Sequence, residues 1–197
     1  MAKLFYQGHG SCRITTESGE VIFIDPFVGE GYDVPADLVI VTHEHYDHNK
    51  VELVTQKPGG ELWRAADLLV NGVYQTKTHG SVTVRAVEAY NSRHPRSECV
   101  GCVISCDGVK VYASGDTSQT DMMRDVLPAE KLDYALLPID GVYNMNAEEA
   151  SVCAAMIGAK HSIPIHTKPG ELYDAAYAAE FQAEGRILLS PGEEIVL

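Results

Sequence analysis

Three histidines and an aspartate fall within six positions, His43-Glu44-His45-Tyr46-Asp47-His48, directly after the apolar run Leu38-Val39-Ile40-Val41. In extended chain, residues two apart point the same way, so His43 and His45 can aim both imidazoles at one metal ion. Asp47 and His48 follow where the chain turns towards a helix, and their offset suits a second ion beside the first. Neutral imidazole and carboxylate are donors for zinc or a similar borderline divalent metal.

Three further residues sit where apolar strands are predicted to end, the places at which a rigid scaffold presents functional loops. His94 lies in the loop after Ser81 to Ala89, Asp116 follows Val111-Tyr112-Ala113-Ser114-Gly115, and His166 ends Ile163-Pro164-Ile165. Gly115 is expected to let the backbone pass close to an ion. With them, His43, His45 and His94 fill one metal site, Asp47, His48 and His166 fill another, and Asp116 can bridge the two. Asp25 ends its own strand; it either fixes a ligand histidine through the other ring nitrogen or caps the turn before Pro26. Arg93, Arg96 and Lys168 flank ligand positions in an otherwise acidic chain. They either grip an anionic group on a substrate or balance local acid. His9 borders the same cleft, whereas Glu44, His79 and His161 read as surface or structural.

The elements that must position these residues divide the chain. The first half is strand-rich: Lys3 to Tyr6 and Ser11 to Thr16, Val21 to Ile24, the strand ending at Val41, Gly72 to Thr76, Ser81 to Ala89, and a hairpin of Val100 to Ser105 with Val109 to Ala113 across Asp107-Gly108. Glu61 to Leu69 reads equally as helix or strand. The second half alternates: a helix before Leu127, a buried strand over Leu132 to Pro138, a helix over Asn146 to Gly158 with a capping box of Asn146 and Glu149, the strand before His166, an alanine-rich helix over Glu171 to Glu184 ended by Gly185, and strands at Arg186 to Leu189 and Glu194 to Val196. This order fits two sheets between outer helices in one domain, residues 1–197.

Composition bounds the function. Apolar residues make up 45% of the 197-residue chain and charged residues 22%, as in an ordinary globular protein. The formal net charge of -13 disfavours nucleic acid and anionic membranes as partners. The odd count of five cysteines, with no secretory signal read at the start, points to reduced thiols in the cytoplasm. Cys99, Cys102 and Cys106 read as small buried residues of a strand, not as a zinc knuckle.

Gly8-His9-x-Ser11, Ile24-Asp25-Pro26, Thr42-His-x-His-x-Asp-His48, the histidine loop, Gly115-Asp116-Thr117, Leu136-Leu-Pro-Ile139 and Ile163-Pro-Ile-His166 together resemble one branch of the metallo-β-lactamase superfamily. Ala89-Tyr90-Asn91 and Tyr143-Asn144-Met145 make it similar to small metal-dependent hydrolases related to ascorbate-6-phosphate lactonase. The resemblance covers nearly the whole chain. It implies an α/β four-layer αββα sandwich with two divalent ions, Zn2+ before Mn2+ or Fe, along one edge. A metal-bridged hydroxide would attack a small ester, lactone, amide or phosphoester, with Asp47 and Asp116 as the catalytic carboxylates. Departures at Gly10, Asp140-Gly141 and Asn144 fall near the substrate cleft. Alternatives are a non-catalytic metal-binding or sensor protein on the same fold and a di-iron redox protein. A nuclease of this superfamily would need inserted RNA-binding segments and basic surface. A small-molecule substrate is expected, and a homo-oligomer is left open.

Overall fold

The computed structural model describes residues 1–197. Two six-stranded sheets carry the architecture. The first runs Glu194–Val196, Lys3–Gly8, Ser11–Thr15, Val21–Ile24, Ala36–Val41, Gln56–Arg64. The second runs His161–Ile165, Tyr134–Pro138, Val109–Ala113, Val100–Cys106, Val82–Glu88, Thr76–His79. Each is mixed. Val21–Ile24, Ala36–Val41 and Gln56–Arg64 pair in parallel, as do Val109–Ala113, Tyr134–Pro138 and His161–Ile165. Parallel neighbours end at the same edge, so each sheet delivers a row of strand ends to one side of the molecule.

Period-two alternation explains the packing. Leu4 and Tyr6, Cys12 and Ile14, Ile22 and Ile24, Leu38 and Ile40 face inward and meet Val82, Val84, Ala86, Cys102, Ile104, Val111, Leu136 and Ile163 of the second sheet in a 26-residue core. The opposite face of the second sheet forms a cluster of 16 buried residues together with helices Asp121–Asp125 and Ala147–Ile157. The outer face of the first sheet buries only five, under the 3-10 turn Val51–Leu53 and the loop carrying Tyr32. The sandwich is therefore thick on one side and thin on the other.

The Asn146 capping box is present, with Gly158 in the left-handed conformation behind the helix. Residues 56–64 are strand and the chain turns helical only at Ala65–Leu68. The long helix expected over Glu171 to Glu184 is a single turn, Ala175–Ala178. The reason is tertiary. His9 donates from its backbone N–H to the Leu172 carbonyl and from its ring to the Glu171 carbonyl, the groups that a helix starting there would use. At the other end Arg186 takes the carbonyls of Ala179 and Phe181. Arg186 to Leu189, expected as a strand, makes only the isolated bridge Ser162–Arg186. No helix is long and apolar enough to cross a membrane.

Candidate metal centre

Strand ends place the candidate residues. His9 follows Lys3–Gly8, Asp25 follows Val21–Ile24, His43 follows Ala36–Val41, Asp116 follows Val109–Ala113, and His166 follows His161–Ile165. Three of them, His9, Asp25 and His166, have left-handed backbones at φ 53°, 47° and 47°. Such conformations cost non-glycine residues about 1–3 kcal/mol each and are held by their surroundings.

Two donor clusters result, linked by a third grouping of Asp25, His43 and His48. His43, His45 and His94 converge in one; His9, Asp47, His48 and His166 converge in the other, the donor atoms of each lying within 4.8 Å of one another. Asp116 sits between them. Its Oδ1 lies 3.3 Å from His48 Nε2, and its Oδ2 lies 3.3 Å from His94 Nε2 and 3.5 Å from His166 Nε2. All seven residues expected as ligands are thus brought together, and His9 joins them.

What holds the rings from behind decides which nitrogen faces inward. His48 Nδ1 donates to Asp25 Oδ2 at 2.9 Å. The Thr42 hydroxyl gives its hydrogen to the same oxygen at 2.6 Å and so accepts from His43 Nδ1 at 3.1 Å. Asp25 therefore orients two histidines, one directly and one through Thr42. His94 Nδ1 donates to Asn91 Oδ1 at 2.9 Å, an oxygen that also receives the backbone N–H groups of Arg93 and His94. His166 Nδ1 lies 2.9 Å from Asp140 Oδ2. Asp140 is itself fixed by the N–H groups of Val142 and Tyr143 and by the Asn144 amide.

Asp140, Asn91 and Thr42 are not among the residues that sequence reasoning assigns to the site. Asp140 carries a usable signal, an acidic residue at the end of an apolar strand, as Asp25 is. Gly115 serves differently from the expectation. A Cβ there would lie 2.9 Å from both Thr42 Oγ1 and the Val100 carbonyl, so it makes room for the Thr42 relay. Gly10 makes room for the His48 ring, whose Cε1 would be 2.8 Å from a Cβ.

The electrostatics call for positive charge. Burial would lower the His48 imidazolium, yet Asp116 and Asp25 outweigh it and hold the group well above its ordinary value. Burial would lower His166 too, but Asp116, Asp140 and Asp47 outweigh it and take the group up to about 9. Burial would raise the Asp116 carboxyl, but His166 and His48 keep it well below the usual range. His43, buried and among other histidines, is held well below its ordinary value. The Nε2 atoms of His43, His48 and His166 are buried with no hydrogen-bond partner. Buried nitrogens of that kind are costly unless something binds them. Divalent cations satisfy both demands, so the donor set fits the metal that the sequence implies.

A cleft of about 670 Å³ opens over His45, Asp47, His94 and Asp116, walled by Glu44, Tyr46, Arg93, Tyr143, Pro169 and Gly170. Arg93 is the one basic residue in that wall, with its guanidinium 5.9 Å from the Tyr143 ring centroid. Arg96 turns elsewhere: it pairs with buried Glu88, lies over Tyr90, and lines a separate pocket with Leu69 and Tyr74. Lys168 pairs with Glu171 at 2.8 Å and is absent from the wall. Glu44 is exposed, as expected, and paired with Arg64. All five cysteines are free and buried. Burial pushes the Cys106 and Cys99 thiols up to about 11 and 12.

Two mixed sheets with histidine and aspartate donors gathered at one edge define a metallo-β-lactamase fold. The chain matches the β-lactamase superfamily domain over residues 3–166 and belongs to that family. It is similar to a UPF0173 metal-dependent hydrolase of Saccharolobus solfataricus, 30% identical with all of both chains covered. It is also similar to one of Methanoregula boonei, 34% identical over 98% of this chain and 96% of the other. Among solved structures, a metal-dependent hydrolase from Parabacteroides distasonis superposes with a TM-score of 0.77 at 26% identity, covering 96% of this chain and 92% of that one. A metallo hydrolase from Ignicoccus hospitalis has the same TM-score at 22% identity and supports the fold, covering 98% and 97%. The protein is a metal-dependent hydrolase.

Proposed function

We propose that the protein holds two divalent cations and hydrolyses a small anionic ester, lactone, amide or phosphoester. One observation carries the two-ion reading: two adjoining donor clusters share a single buried carboxylate, Asp116, that reaches both. His43, His45 and His94 would hold one ion, Asp47, His48 and His166 the other. Nitrogen-rich donors favour zinc over magnesium or calcium. Bound there, the ions supply Lewis acidity and bring the pKa of water towards neutrality.

The chain's own residues do the rest. Asp116, kept ionised by His166 and His48, provides a fixed acceptor for a water proton at the floor of the cleft. Asp47, half-buried beside it, is held ionised against the effect of burial by the neighbouring His166 ring. Arg93 offers the only positive charge in the cleft wall, placed for a carboxylate or phosphate on the substrate. Five unpaired thiols are in keeping with a cytoplasmic setting.

Metal content per chain, measured by inductively coupled plasma mass spectrometry, tests this. Close to two zinc ions in the native protein are expected, with fewer in Asp116→Ala and in His45→Ala. A single ion in the native protein would refute the two-ion reading, and iron would turn attention to redox chemistry.

A further inference from the structure

His9, expected at the border of the cleft, lies beneath it and is absent from its wall. His9 is fully buried. Its Nδ1 lies 3.0 Å from the Glu171 carbonyl, an atom that only accepts, so the ring proton is on Nδ1. In a neutral ring Nε2 is then a bare lone pair. That lone pair faces Asp47 Oδ2 at 3.2 Å, while the ring lies against His166 with centroids 3.7 Å apart. Nε2 thus points into the space shared by Asp47, His48 and His166, with the four donor atoms all within 4.8 Å of one another.

The same arrangement marks the other cluster. His94 donates from Nδ1 to Asn91, so its bare Nε2 faces His45 Nδ1 at 3.1 Å. Donors bound to zinc at about 2.0–2.2 Å stand about 2.8–3.1 Å apart at right angles and about 3.3–3.6 Å apart at tetrahedral angles. Both contacts match an edge of such a coordination shell. From these contacts we infer that His9 Nε2 is a metal ligand, completing a set of His9, Asp47, His48 and His166 around the more buried ion. This rests on the two-ion reading above.

The assignment divides the labour between the ions. The three histidines of this set are one per cent exposed or less, and only Asp47 reaches the cleft. With four donors of its own besides Asp116, the ion they hold has its shell largely filled by protein. The ion of His43, His45 and His94 has three and faces the cleft through exposed His45. Substrate therefore engages that second ion, and the buried one stays in place as a fixed charge.

Cobalt substitution tests the ligand role without reference to turnover. Metal-free protein is reconstituted with Co2+, and hyperfine-shifted imidazole N–H signals are recorded by proton NMR alongside chelator competition for each ion. His9 contributes one shifted N–H, from the Nδ1 bonded to Glu171. The His9→Asn variant keeps a residue that tolerates the left-handed backbone and removes the ring. It is expected to lose that signal and to weaken one ion by more than about 100-fold, beyond the 10–100-fold cost of losing an outer-shell hydrogen bond. His9→Gln is the second variant, and circular dichroism of the metal-free proteins confirms that both remain folded.

All shifted signals retained, with affinities within threefold of native, would overturn the assignment and leave His9 as a cationic partner of Asp47. If native protein takes up a single ion, the two-ion reading fails by itself. Loss of the N–H signal in His9→Asn then still reports whether His9 touches that ion.

Discussion

The two donor clusters are held from behind in different ways. Around His43, His45 and His94 the supporting groups are neutral: the Thr42 hydroxyl and the Asn91 amide. Around His48 and His166 they are carboxylates, Asp25 and Asp140, each locked by further hydrogen bonds. A carboxylate behind an imidazole raises its basicity and strengthens its hold on a metal. His48 and His166 are raised, by Asp116 first and then by Asp25 and Asp140 respectively, whereas burial and neighbouring histidines lower His43 and His45. If two ions bind as proposed, one edge of the fold carries a cluster suited to retention beside one suited to exchange.

The comparison can be broken outright at His166. Replacing it with Ala is expected to remove the buried ion and all hydrolysis, whereas His45→Ala keeps that ion and loses the other. Chelator titration with metal analysis tells them apart, and equal losses would erase the distinction. Next in size is Asp140→Asn, which keeps an acceptor for the local N–H groups but removes the charge behind His166. Affinity for one ion should fall about 10–100-fold, while Asn91→Ala should weaken the other by less; the reverse order would invert the comparison.

Gly10→Ala probes packing. Its Cβ would press on His48 at 2.8 Å, and a loss of about 1–3 kcal/mol in urea unfolding is expected. At the cleft, Arg93→Ala should raise KM for an anionic substrate several-fold with kcat nearly kept. The smallest effect belongs to Lys168→Ala and Arg96→Ala, which should leave KM within twofold because neither side chain lines the cleft. A KM rise in Lys168→Ala equal to that in Arg93→Ala would place Lys168 on the substrate.

Much of this site is legible in the sequence because its signal is local. His-x-His-x-Asp-His after Val41 carries its own geometry, and Asp116 and His166 each close an apolar strand whose identity is plain from branched residues. Asp140 is harder to read because the loop following it offers nothing beyond a turn, and its value lies in a partner 26 positions away, His166. Chain-local propensity also misleads at Glu171 to Glu184. Alanine favours helix there, but the carbonyls of Glu171 and Leu172 are committed to His9, from the opposite end of the chain. Long-range hydrogen bonds overrule propensity without leaving a trace in the local pattern. The thin outer layer on the first sheet is equally hidden, since which apolar face finds a helix depends on where connections run.

The contact between the His9 ring and the Glu171 carbonyl spans 162 positions. At about 5–20 residues per second, ribosomal synthesis separates the two ends of that contact by roughly 8–30 s. For most of that interval the Thr42–His48 segment exists with Asp25 as its support but without His166. The buried cluster is therefore a late product of folding, complete only once the segment carrying His166 and Glu171 has joined the N-terminal strands.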